Sequence, residues 1–590
     1  MYPLGHRTAW PKKRFRSNAT RSIRFISYNR SIGKDDRHMT TAIVQAHRVD
    51  GLFVHYSRRQ RLLSPVVTRI YASIIGGPTI ILLFSFMLAQ SDYAGEIASK
   101  EAGVIAAIED LGGIVTPIAD TSGRLAIRVG LTGTNVSDAF LQELEAFPQL
   151  KALDLTRTKV TDRGAGYLGR LTQLEELNLR STRITDAALP HFAQMKQLET
   201  LILISTPVTD AGMSSLQGLT NLRRLSLSGT RISGAGIECL HNLRQLNKLD
   251  LERTEISDTA SKYLTHFPQL KELNLAHTRI TDAALKDVAI LVAMEELTLE
   301  GTKITDVGLE QLQRLRRLRR LNLSYNLGLK GGGLRHLGGC TRLETLDLSF
   351  TLVSDVALEA IQSLPDLQVL ILTETQITDT GVGHLKTLSK LHSLSLGECR
   401  ITDGGLAPLQ GLRQLKEIYF SHDRITNDGL KQLGRLTQLE TLGLDDTMAT
   451  DAGLGNLESL TELKTLDLSG AKVTDAGIVH LKAMRQLQKL DLWGTEITDA
   501  ALKDFEPLNK LKDLNLGRTN VTDAGLKSLA RLNQLKRLDL AQTEVTDAGL
   551  VDLEALVNLK ELYLGGSKVT EAGVKKLRQA LRKCRISWKL

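Results

Sequence analysis

The sequence predicts an α/β solenoid with parallel β-strands on one face and short helices on the other. Three observations lead to this prediction. Nearly identical stretches recur through most of the 590 residues, for example "LDLWGTEITDAALKDFEPL" and "LNLGRTNVTDAGLKSLARL". Each stretch carries leucines at strand spacing and then leucines at helical spacing. The stretches return at an almost constant interval, which is typical of stacked repeats, whereas a catalytic motif is usually written once.

The repeats are regular enough to be counted. Aligned on the leucines, residues 148–580 divide into eighteen repeats of 24 residues, except that the eighth has 25. A degenerate repeat, 124–147, precedes them. Repeats one to seven therefore cover 148–315, repeat eight covers 316–340, and repeats nine to eighteen cover 341–580.

One repeat, the sixteenth, shows how the residues predict the elements. In "LKDLNL", 511–516, the last leucines alternate with polar residues, as they do along a strand with one buried face. In "DAGLKSLARL", 523–532, leucine recurs every three residues, which indicates a helix. Thr522 and Asp523 stand where this helix begins, so we expect the hydroxyl to cap it and the carboxylate to favour its positive end.

A single repeat is too small to bury a core, so neighbouring repeats must stack. Strands about 4.8 Å apart would give eighteen repeats an inner wall of roughly 85 Å. Because helices are wider than strands, we expect a horseshoe with the strands on its concave face and the helices on its convex face.

The pattern LxxLxLxxTxITDAGLxxLxxL resembles the leucine-rich repeat over about three quarters of the chain. Its "ITDAGL" variant is similar to the repeats of planctomycete-type bacterial proteins and of F-box-type adaptor proteins. The resemblance implies a bacterial, non-enzymatic protein that binds a partner macromolecule without a cofactor. In agreement with it, we identify no catalytic, cofactor-binding or metal-binding residues.

The charge is unevenly distributed. Residues 1–66 hold 14 Lys and Arg against 3 Asp, whereas the remainder holds 61 basic and 63 acidic residues. The repeats are therefore nearly neutral, and the overall basic charge does not predict nucleic-acid binding by them. We interpret 1–66 as a basic, mostly disordered cytoplasmic tail, within which Met39 is an alternative start.

Residues 67–90 predict a transmembrane helix or signal-anchor. From Ile70 to Gln90 the chain has 21 residues without a charge, and about 20 apolar residues span a bilayer. Arginines precede the segment, so the positive-inside rule places the repeats outside the cytoplasm. Two alternatives remain: a cleaved signal, which would leave a secreted or periplasmic protein, and a buried segment of a soluble protein.

The two ends of the array predict caps. Residues 91–147 are an N-terminal cap with the degenerate first repeat, in which 91–119 reads as a helix followed by a strand. Residues 581–590 are a C-terminal cap that ends part-way through another strand. Four widely spaced cysteines predict neither a disulfide framework nor a zinc site.

Most recurring polar residues have a structural interpretation. A Thr follows the strand in 13 of the 18 repeats, and we expect its hydroxyl to bind neighbouring backbone and form a ladder along the stack. An Asp follows the helix-capping residue in 14 repeats. Stacked carboxylates are an alternative Ca²⁺ site, but the capping role already accounts for them.

The positions that the repeat leaves free predict the binding site. Aromatic, aliphatic and acidic residues at the ends of the strands indicate a partner-binding concave face. They are Ile202, Ile204, Phe350, Ile371, Glu374, Glu398, Tyr419, Asp445, Asp446, Trp493 and Tyr563. The irregular segment 314–340, with six arginines and a triple glycine, is either a seam between two arrays or a docking patch.

The sequence thus favours a membrane-tethered receptor or scaffold that recognises another protein. A carbohydrate-binding or cell-envelope scaffold outside the cytoplasm is the alternative, because an aromatic such as Trp493 suits stacking on sugar. An F-box-like substrate adaptor for a ubiquitin-ligase-type complex is the lesser alternative, since 1–123 shows a basic tail and an apolar segment where a helical F-box would stand. The oligomeric state is left open.

Overall fold

A computed structural model describes residues 48–49, 52–53, 92–119, 123 and 125–589. The chain divides into two units, Met1–Met87 and Leu88–Leu590. In the first unit, Arg48–Val49 pairs antiparallel with Leu52–Phe53. The predicted membrane segment 67–90 lies outside the described residues. Among the residues that are described, no helix combines the length and hydropathy needed to cross a membrane.

The second unit contains one sheet whose strands follow chain order. Ile114–Ala119 pairs antiparallel with Leu125–Gly130, and every later pair is parallel. The parallel strands after Leu125–Gly130 are Leu150–Asp154, Glu176–Asn178, Thr200–Ile202, Arg224–Ser226, Lys248–Asp250, Glu272–Asn274, Glu296–Thr298, Arg320–Asn322, Thr345–Asp347, Val369–Ile371, Ser393–Ser395, Glu417–Tyr419, Thr441–Gly443, Thr465–Asp467, Lys489–Asp491, Asp513–Asn515, Arg537–Asp539, Glu561–Tyr563 and Arg585–Ser587. This arrangement confirms the predicted α/β solenoid with a parallel sheet; its horseshoe curvature stays a prediction.

Short helices follow the strands. The α-helices are Asp92–Asp110, Asp162–Leu168, Leu189–Phe192, Asp210–Met213, Gly234–Glu238, Asp258–Leu264, Asp282–Val288, Asp355–Ala360, Asp379–Val382, Asn427–Leu433, Asp451–Leu454, Asp475–Ile478, Asp523–Leu529 and Glu571–Ala580. The 3₁₀ helices are Ala139–Ala146, Asp186–Ala188, Ser214–Leu216, Gly308–Arg314, Gly332–Gly339, Ile361–Ser363, Gly383–Thr387, Asp403–Gly405, Ala407–Gly411, Gly455–Leu457, Val479–Ala483, Ala501–Phe505 and Gly549–Ala555. The many 3₁₀ turns fit the leucine spacing of three, because a 3₁₀ helix has three residues per turn.

The leucines of the repeats form one continuous core. In repeat sixteen, Leu514, Leu516, Leu526 and Leu529 have no exposed surface, and the same positions are buried in the other repeats. Before the first repeat, the helix Asp92–Asp110 contributes Val104 and Ile108 to the core. Burial of this apolar surface drives the stacking.

The recurring Thr after the strand bonds mainly within its own repeat, which corrects the predicted ladder, although Thr302 and Thr375 also contact the next repeat, at Asn326 Oδ1 (2.9 Å) and Cys399 Sγ (3.3 Å). The Thr hydroxyl donates to the carbonyl oxygen three residues earlier in the same repeat, as Thr519 Oγ1 does to Leu516 O at 2.6 Å. The bond closes the tight turn that leaves the strand. Asn326, which replaces Thr in repeat eight, does join repeats, because its Nδ2 donates to Leu299 O and Leu323 O at 2.8 and 2.9 Å.

The aspartates at the helix starts make the ladder instead. The predicted cap is present, since Thr522 Oγ1 accepts from Ala524 N at 3.3 Å. However, the carboxylate beside it reaches the next repeat: Asp162 Oδ1 accepts from Thr185 N and Asp162 Oδ2 from Thr185 Oγ1, both at 2.7 Å. Fourteen such two-pronged bridges occur among the described residues. In place of a fifteenth, Asn427 makes both bonds to Thr450.

One repeat carries a buried carboxyl where thirteen other repeats have Thr. Asp423 is 3% exposed, and its Oδ1 accepts a long bond of 3.4 Å from Ile401 N. Its Oδ2 is buried without a hydrogen-bond partner in this structure. Burial raises the pKa of the Asp423 carboxyl to about 7, so near neutral pH it is partly protonated.

We predict that Asp499→Ala weakens the junction between repeats fifteen and sixteen. The change leaves Thr522 N and Oγ1 without the acceptors they now have at 2.8 and 2.6 Å. We expect the free energy of unfolding to fall by about 1–3 kcal/mol, and the Thr522 amide to exchange hydrogen faster. Guanidinium denaturation and hydrogen exchange measure the two effects.

The matched control is Asp499→Asn. Because Asn427 also joins Thr450 by two bonds, with Oδ1 accepting from Thr450 N and Nδ2 donating to Thr450 Oγ1, we expect Asn to lose less than about half as much stability as Ala. Equal losses for Ala and Asn would contradict the bridging role of the carboxylate.

We predict that Asp423→Asn stabilises the protein at neutral and alkaline pH. Between the unfolded pKa of about 3.9 and the folded pKa of about 7, the folded state binds a proton that the unfolded state lacks. The stability of the wild type therefore falls as pH rises through this range, by at most about 1.4 kcal/mol per pH unit. Asn does not titrate, so the variant lacks this dependence. Its denaturation midpoint should rise progressively above that of the wild type from pH 5 to pH 7, and the difference between the two midpoints should stay constant at higher pH.

The reverse substitution, Asn326→Asp, places a carboxyl at the corresponding position in repeat eight. The stability of the Asn326→Asp variant should acquire the pH dependence that the Asp423→Asn variant loses. A constant difference between Asp423→Asn and wild type at all pH values would show that folding does not raise the pKa of the Asp423 carboxyl.

Candidate recognition surface

Three residues per repeat face away from the core at the end of each strand. In repeat fifteen they are Asp491, which ends the strand, then Trp493 and Gly494, while Leu492 is buried between them. We call these the first, second and third columns. Since the strands pair in register, each column runs from one repeat to the next along the sheet.

The third column has a left-handed backbone. Thirteen non-glycine residues of the repeats have positive φ there, as Phe350 does at 56°, and five glycines such as Gly494 occupy it in other repeats. This conformation aims each third-column N–H at the next repeat: Arg157 N donates to Arg180 O at 2.8 Å. The side chain is thereby turned outward at the edge of the sheet.

The predicted site residues all fall in these columns. Those in the first column are Ile202, Ile371, Tyr419 and Tyr563; those in the second are Ile204, Asp445 and Trp493; those in the third are Phe350, Glu374, Glu398 and Asp446. Seven of the eleven lie in the five consecutive repeats nine to thirteen, and Trp493 lies two repeats further on.

The remaining three stand apart from this group. Ile202 and Ile204 share repeat three. Tyr563 is in repeat eighteen, where its hydroxyl donates to Glu561 Oε2 at 3.0 Å and Arg537 lies 5.0 Å from its ring centre. The structure therefore does not bring these three side chains together with the group in repeats nine to thirteen.

The columns of repeats nine to fifteen are acidic. Their twenty-one positions contain seven carboxylates and no Lys or Arg, whereas repeats one to eight mix four carboxylates with three arginines. We call the seven the acidic sheet surface: Asp347, Glu374, Glu398, Asp445, Asp446, Asp467 and Asp491. Three of them, Asp347, Asp467 and Asp491, were not predicted from the sequence.

The carboxylates are close enough to act on one another. The pKa of Asp491 is raised to about 6, first by burial and then by Asp467. Burial and Asp467 also raise the pKa of Asp445, and burial and Glu398 raise that of Glu374. The surface therefore holds repelling negative charges, which favours a cationic ligand.

The turn does not require the charge in the first column. Asp347 Oδ1 accepts from Ser349 N at 2.9 Å, and Asp491 Oδ1 accepts from Trp493 N at 3.1 Å. Asn178 and Asn322 make the same bond in earlier repeats, at 3.1 and 2.8 Å. Because an amide oxygen serves the turn as well as a carboxylate does, the turn does not account for the negative charge at this position.

Aromatic side chains accompany the acidic sheet surface. Tyr325, which was not among the predicted residues, stacks on Phe350 with ring centres 4.2 Å apart and planes 7° from parallel. Trp493 is 38% exposed, and the Arg518 guanidinium lies 5.2 Å from its ring centre. Both arrangements fix a ring at the surface before any partner arrives.

A glycine one repeat later makes room for two of these rings. A Cβ on Gly443 would lie 2.8 Å from Tyr419 Cδ1, and one on Gly517 would lie 2.8 Å from Trp493 Cδ1. Each ring therefore lies over the backbone of the following repeat. A glycine 24 residues after an outward aromatic is the sequence signal for this arrangement.

The polar residues at the helix starts do not converge on a metal or a reacting group. Their carboxylates bind the Thr of the next repeat, as Asp475 does to Thr498 at 2.7 and 2.6 Å. Within the part of the chain that the structure describes, no three His, Cys, Asp or Glu side chains are grouped as metal ligands.

Comparisons with known proteins agree with the repeat geometry. The family described as Leucine rich repeat matches residues 196–256, 220–280 and 485–545, and a second family of the same description matches 148–169, 387–409 and 459–481. This chain is a leucine-rich-repeat protein. No curated protein matches it in sequence. The likeness to planctomycete-type and F-box-type repeats stays a prediction.

Solved structures show the same leucine-rich-repeat fold. The TLR13–ssRNA13 complex is 19% identical over 78% of this chain and 73% of that chain, with a TM-score of 0.50. A Leptospira interrogans leucine-rich-repeat protein is 23% identical over 68% and 92% of the chains, with a TM-score of 0.43. An internalin from Listeria monocytogenes is 23% identical over 59% and 88%, with a TM-score of 0.40. At these identities the likeness concerns the fold alone.

We predict that Gly517→Ala displaces the Trp493 ring, because the new methyl group would overlap Trp493 Cδ1. The indole should become more exposed, so its fluorescence should shift to longer wavelength and acrylamide should quench it more. Subtracting the spectrum of Trp493→Phe isolates this residue from the other two tryptophans. Gly411→Ala is the control, since a Cβ at Gly411 meets nothing within 4 Å; the same spectral change in both variants would contradict the packing.

Proposed function

We propose that this leucine-rich-repeat protein is a non-enzymatic interaction module that binds a protein partner on the sheet face of repeats nine to fifteen. The observation that carries the proposal is the acidic sheet surface together with its fixed aromatic side chains. Aromatic anchors beside charge are typical of protein-recognition surfaces.

Rigidity supports this function. The Asp–Thr bridges and the sheet hold each column in place, so the outward side chains need little ordering when a partner binds. The Tyr325–Phe350 stack and the packing of Tyr419 over Gly443 restrict the rings in the same way. A preformed surface of this kind favours affinity for a macromolecule without any catalytic step.

The surface charge favours a protein partner over a nucleic acid. Phosphate contacts require Lys and Arg, and the columns of repeats nine to fifteen contain neither. A carbohydrate partner is less well supported, because Arg518 lies over the Trp493 ring that would stack on a sugar. An F-box-like adaptor remains the weakest alternative, since residues 1–123 hold a basic tail and an apolar segment where a helical F-box would stand.

The proposal includes a membrane tether at 67–90, with the basic tail in the cytoplasm and the repeats outside it. Its support is the uncharged segment Ile70–Gln90 and the arginines before it. A cleaved signal, which would release the repeats as a secreted or periplasmic protein, is the alternative form of the same function.

We predict that Tyr419→Ala and Asp446→Ala each reduce recovery of a specific partner in a cross-linking pull-down from membranes with the full chain. Loss of one aromatic or charged anchor at the centre of an interface typically weakens binding by about 1–3 kcal/mol, which is roughly ten- to a hundredfold. Val557→Ala is the control: Val557 is 74% exposed and lies outside the three columns, in the turn that leads into the last repeat's strand. Unchanged recovery with Tyr419→Ala and Asp446→Ala would show that the partner binds elsewhere.

A further inference from the structure

An exposed apolar strip interrupts the otherwise polar segments that link strand to helix. It occupies three consecutive repeats, seven to nine. We define the apolar strip as Val307, Tyr325, Leu327, Phe350, Leu352 and Val356. Their side chains are exposed, by 76% at Val307 and 68% at Leu327, except that Phe350 is half-buried under Tyr325.

Three separate repeat positions depart from their usual residue in the same three repeats. The third column has Phe or Tyr only at Tyr325 and Phe350. Two residues further on, Leu occurs only at Leu327 and Leu352, whereas other repeats have a charged residue, an amide, Pro or Met. Two residues after the Thr or Ser that precedes each helix, valine occurs only at Val307 and Val356. Because three different repeat positions carry unusual apolar residues in the same three repeats, we expect these residues to serve one function together.

The extra residue of repeat eight contributes to the strip. Leu329 lies three residues after the buried Asn326, but the corresponding Val353 lies two residues after the buried Thr351. Leu352 N donates to Leu329 O at 3.1 Å. From Leu329 onward, the backbone of repeat eight is therefore again in register with that of repeat nine. The insertion therefore falls at 327–328, beside the exposed Leu327, and Gly328 takes the place in the bridge to Thr305 that Lys303 takes in the bridge to Thr281. A seam between two arrays does not need an apolar side chain there.

The strip continues into the acidic sheet surface. Along the third column, Tyr325 and Phe350 are followed in the next two repeats by Glu374 and Glu398. Neighbouring strands lie about 4.8 Å apart, so two rings and two carboxylates follow one another within roughly 15 Å. Asp445 and Asp446 extend the negative charge beyond them.

We propose that the apolar strip and the acidic sheet surface together bind one cationic segment of a polypeptide, in extended conformation. Its apolar side chains cover Tyr325, Leu327 and Leu352, and its Lys and Arg side chains meet Glu374, Glu398 and Asp446. This inference rests on the proposed function and names the chemical class of the partner.

A second copy of this chain fits the surface less well. A two-fold axis between Tyr325 and Phe350 would place Glu374 and Glu398 of one copy against the third column of repeats six and seven of the other. That column offers Gly301 and His277, and His277 already lies 3.3 Å from Glu300. A dimer would therefore leave the carboxylates without new cations, whereas a basic peptide would supply them.

The test uses the full chain and a displayed library of random twelve-residue peptides as the probe. We expect the selected peptides to combine an aromatic or aliphatic pair with several Lys or Arg. Anisotropy titration of a labelled selected peptide should then show binding that weakens by about tenfold or more in Phe350→Ser and in the double variant Glu374→Gln/Glu398→Gln. Higher salt should weaken binding to the wild type more than to the double variant.

The matched control is Glu252→Gln/Glu300→Gln, which removes two carboxylates from the second column of repeats five and seven and should leave peptide binding unchanged. Selection of acidic or uncharged peptides, no selection, or equal binding by the two double variants would overturn the inference. So would sedimentation showing a dimer that Phe350→Ser dissociates, because the strip would then be covered by a second copy. If these results occurred while Tyr419→Ala still lost its pull-down partner, the proposed function would stand and the peptide class would be wrong.

Discussion

The structure depends on satisfying the polar groups at the junction of each repeat with the next. Leucines fill the core, but they cannot hydrogen-bond the backbone that surrounds it, and an unpaired buried N–H is costly. The Asp at each helix start meets this need from the preceding repeat, binding both the backbone and the hydroxyl of a Thr 23 residues later. On the opposite face, the backbone N–H and C=O groups of each junction are satisfied by the pairing of neighbouring strands. Because each repeat supplies what its neighbour lacks, single repeats are unstable and the stack is cooperative.

The buried Thr is replaced most often beneath the acidic sheet surface. Between repeats eleven and fourteen, the buried Thr is replaced by Cys399, Asp423 and Ala471. Cys399 Sγ donates to Leu372 O of the preceding repeat at 3.2 Å, Asp423 has a buried oxygen without a partner, and Ala471 has no side-chain donor. The repeats whose outward residues are most specialised therefore have fewer internal hydrogen bonds of this type. An array that duplicates for stability alone would have kept Thr at all three places.

Sequence periodicity was sufficient for the architecture but not for the direction of the bonds. The spacing of leucines predicts strand, turn and helix in each repeat, and the strands lie where the leucine pattern puts them. The pattern could not tell that Thr519 binds within its own repeat while Asp523 binds the next one, because both residues recur at the same period. The sequence pattern did not predict Tyr325, because this residue lies in the irregular repeat, where the recurring residues that mark each position in other repeats are missing. The glycines at third-column positions such as Gly470 predict a left-handed backbone at that point of each repeat. They therefore also indicate which side chains of the other repeats face outward.

Repetition itself limits where a specific function can arise. A residue copied into most repeats is explained by the stack, since every copy has the same neighbours and makes the same bonds. A binding surface needs side chains that differ from one repeat to the next, because a partner has a beginning and an end. In this chain the departures are concentrated: the apolar strip occupies repeats seven to nine, and the carboxylates without matching Lys or Arg occupy repeats nine to fifteen. Asn in the first column would preserve each turn, and Ala would preserve each helix start, so neither Asp467 nor Val307 is required by its local structure. Residues that the fold does not require, gathered on one continuous part of a rigid surface, are the physical basis of the proposal that this part recognises a partner.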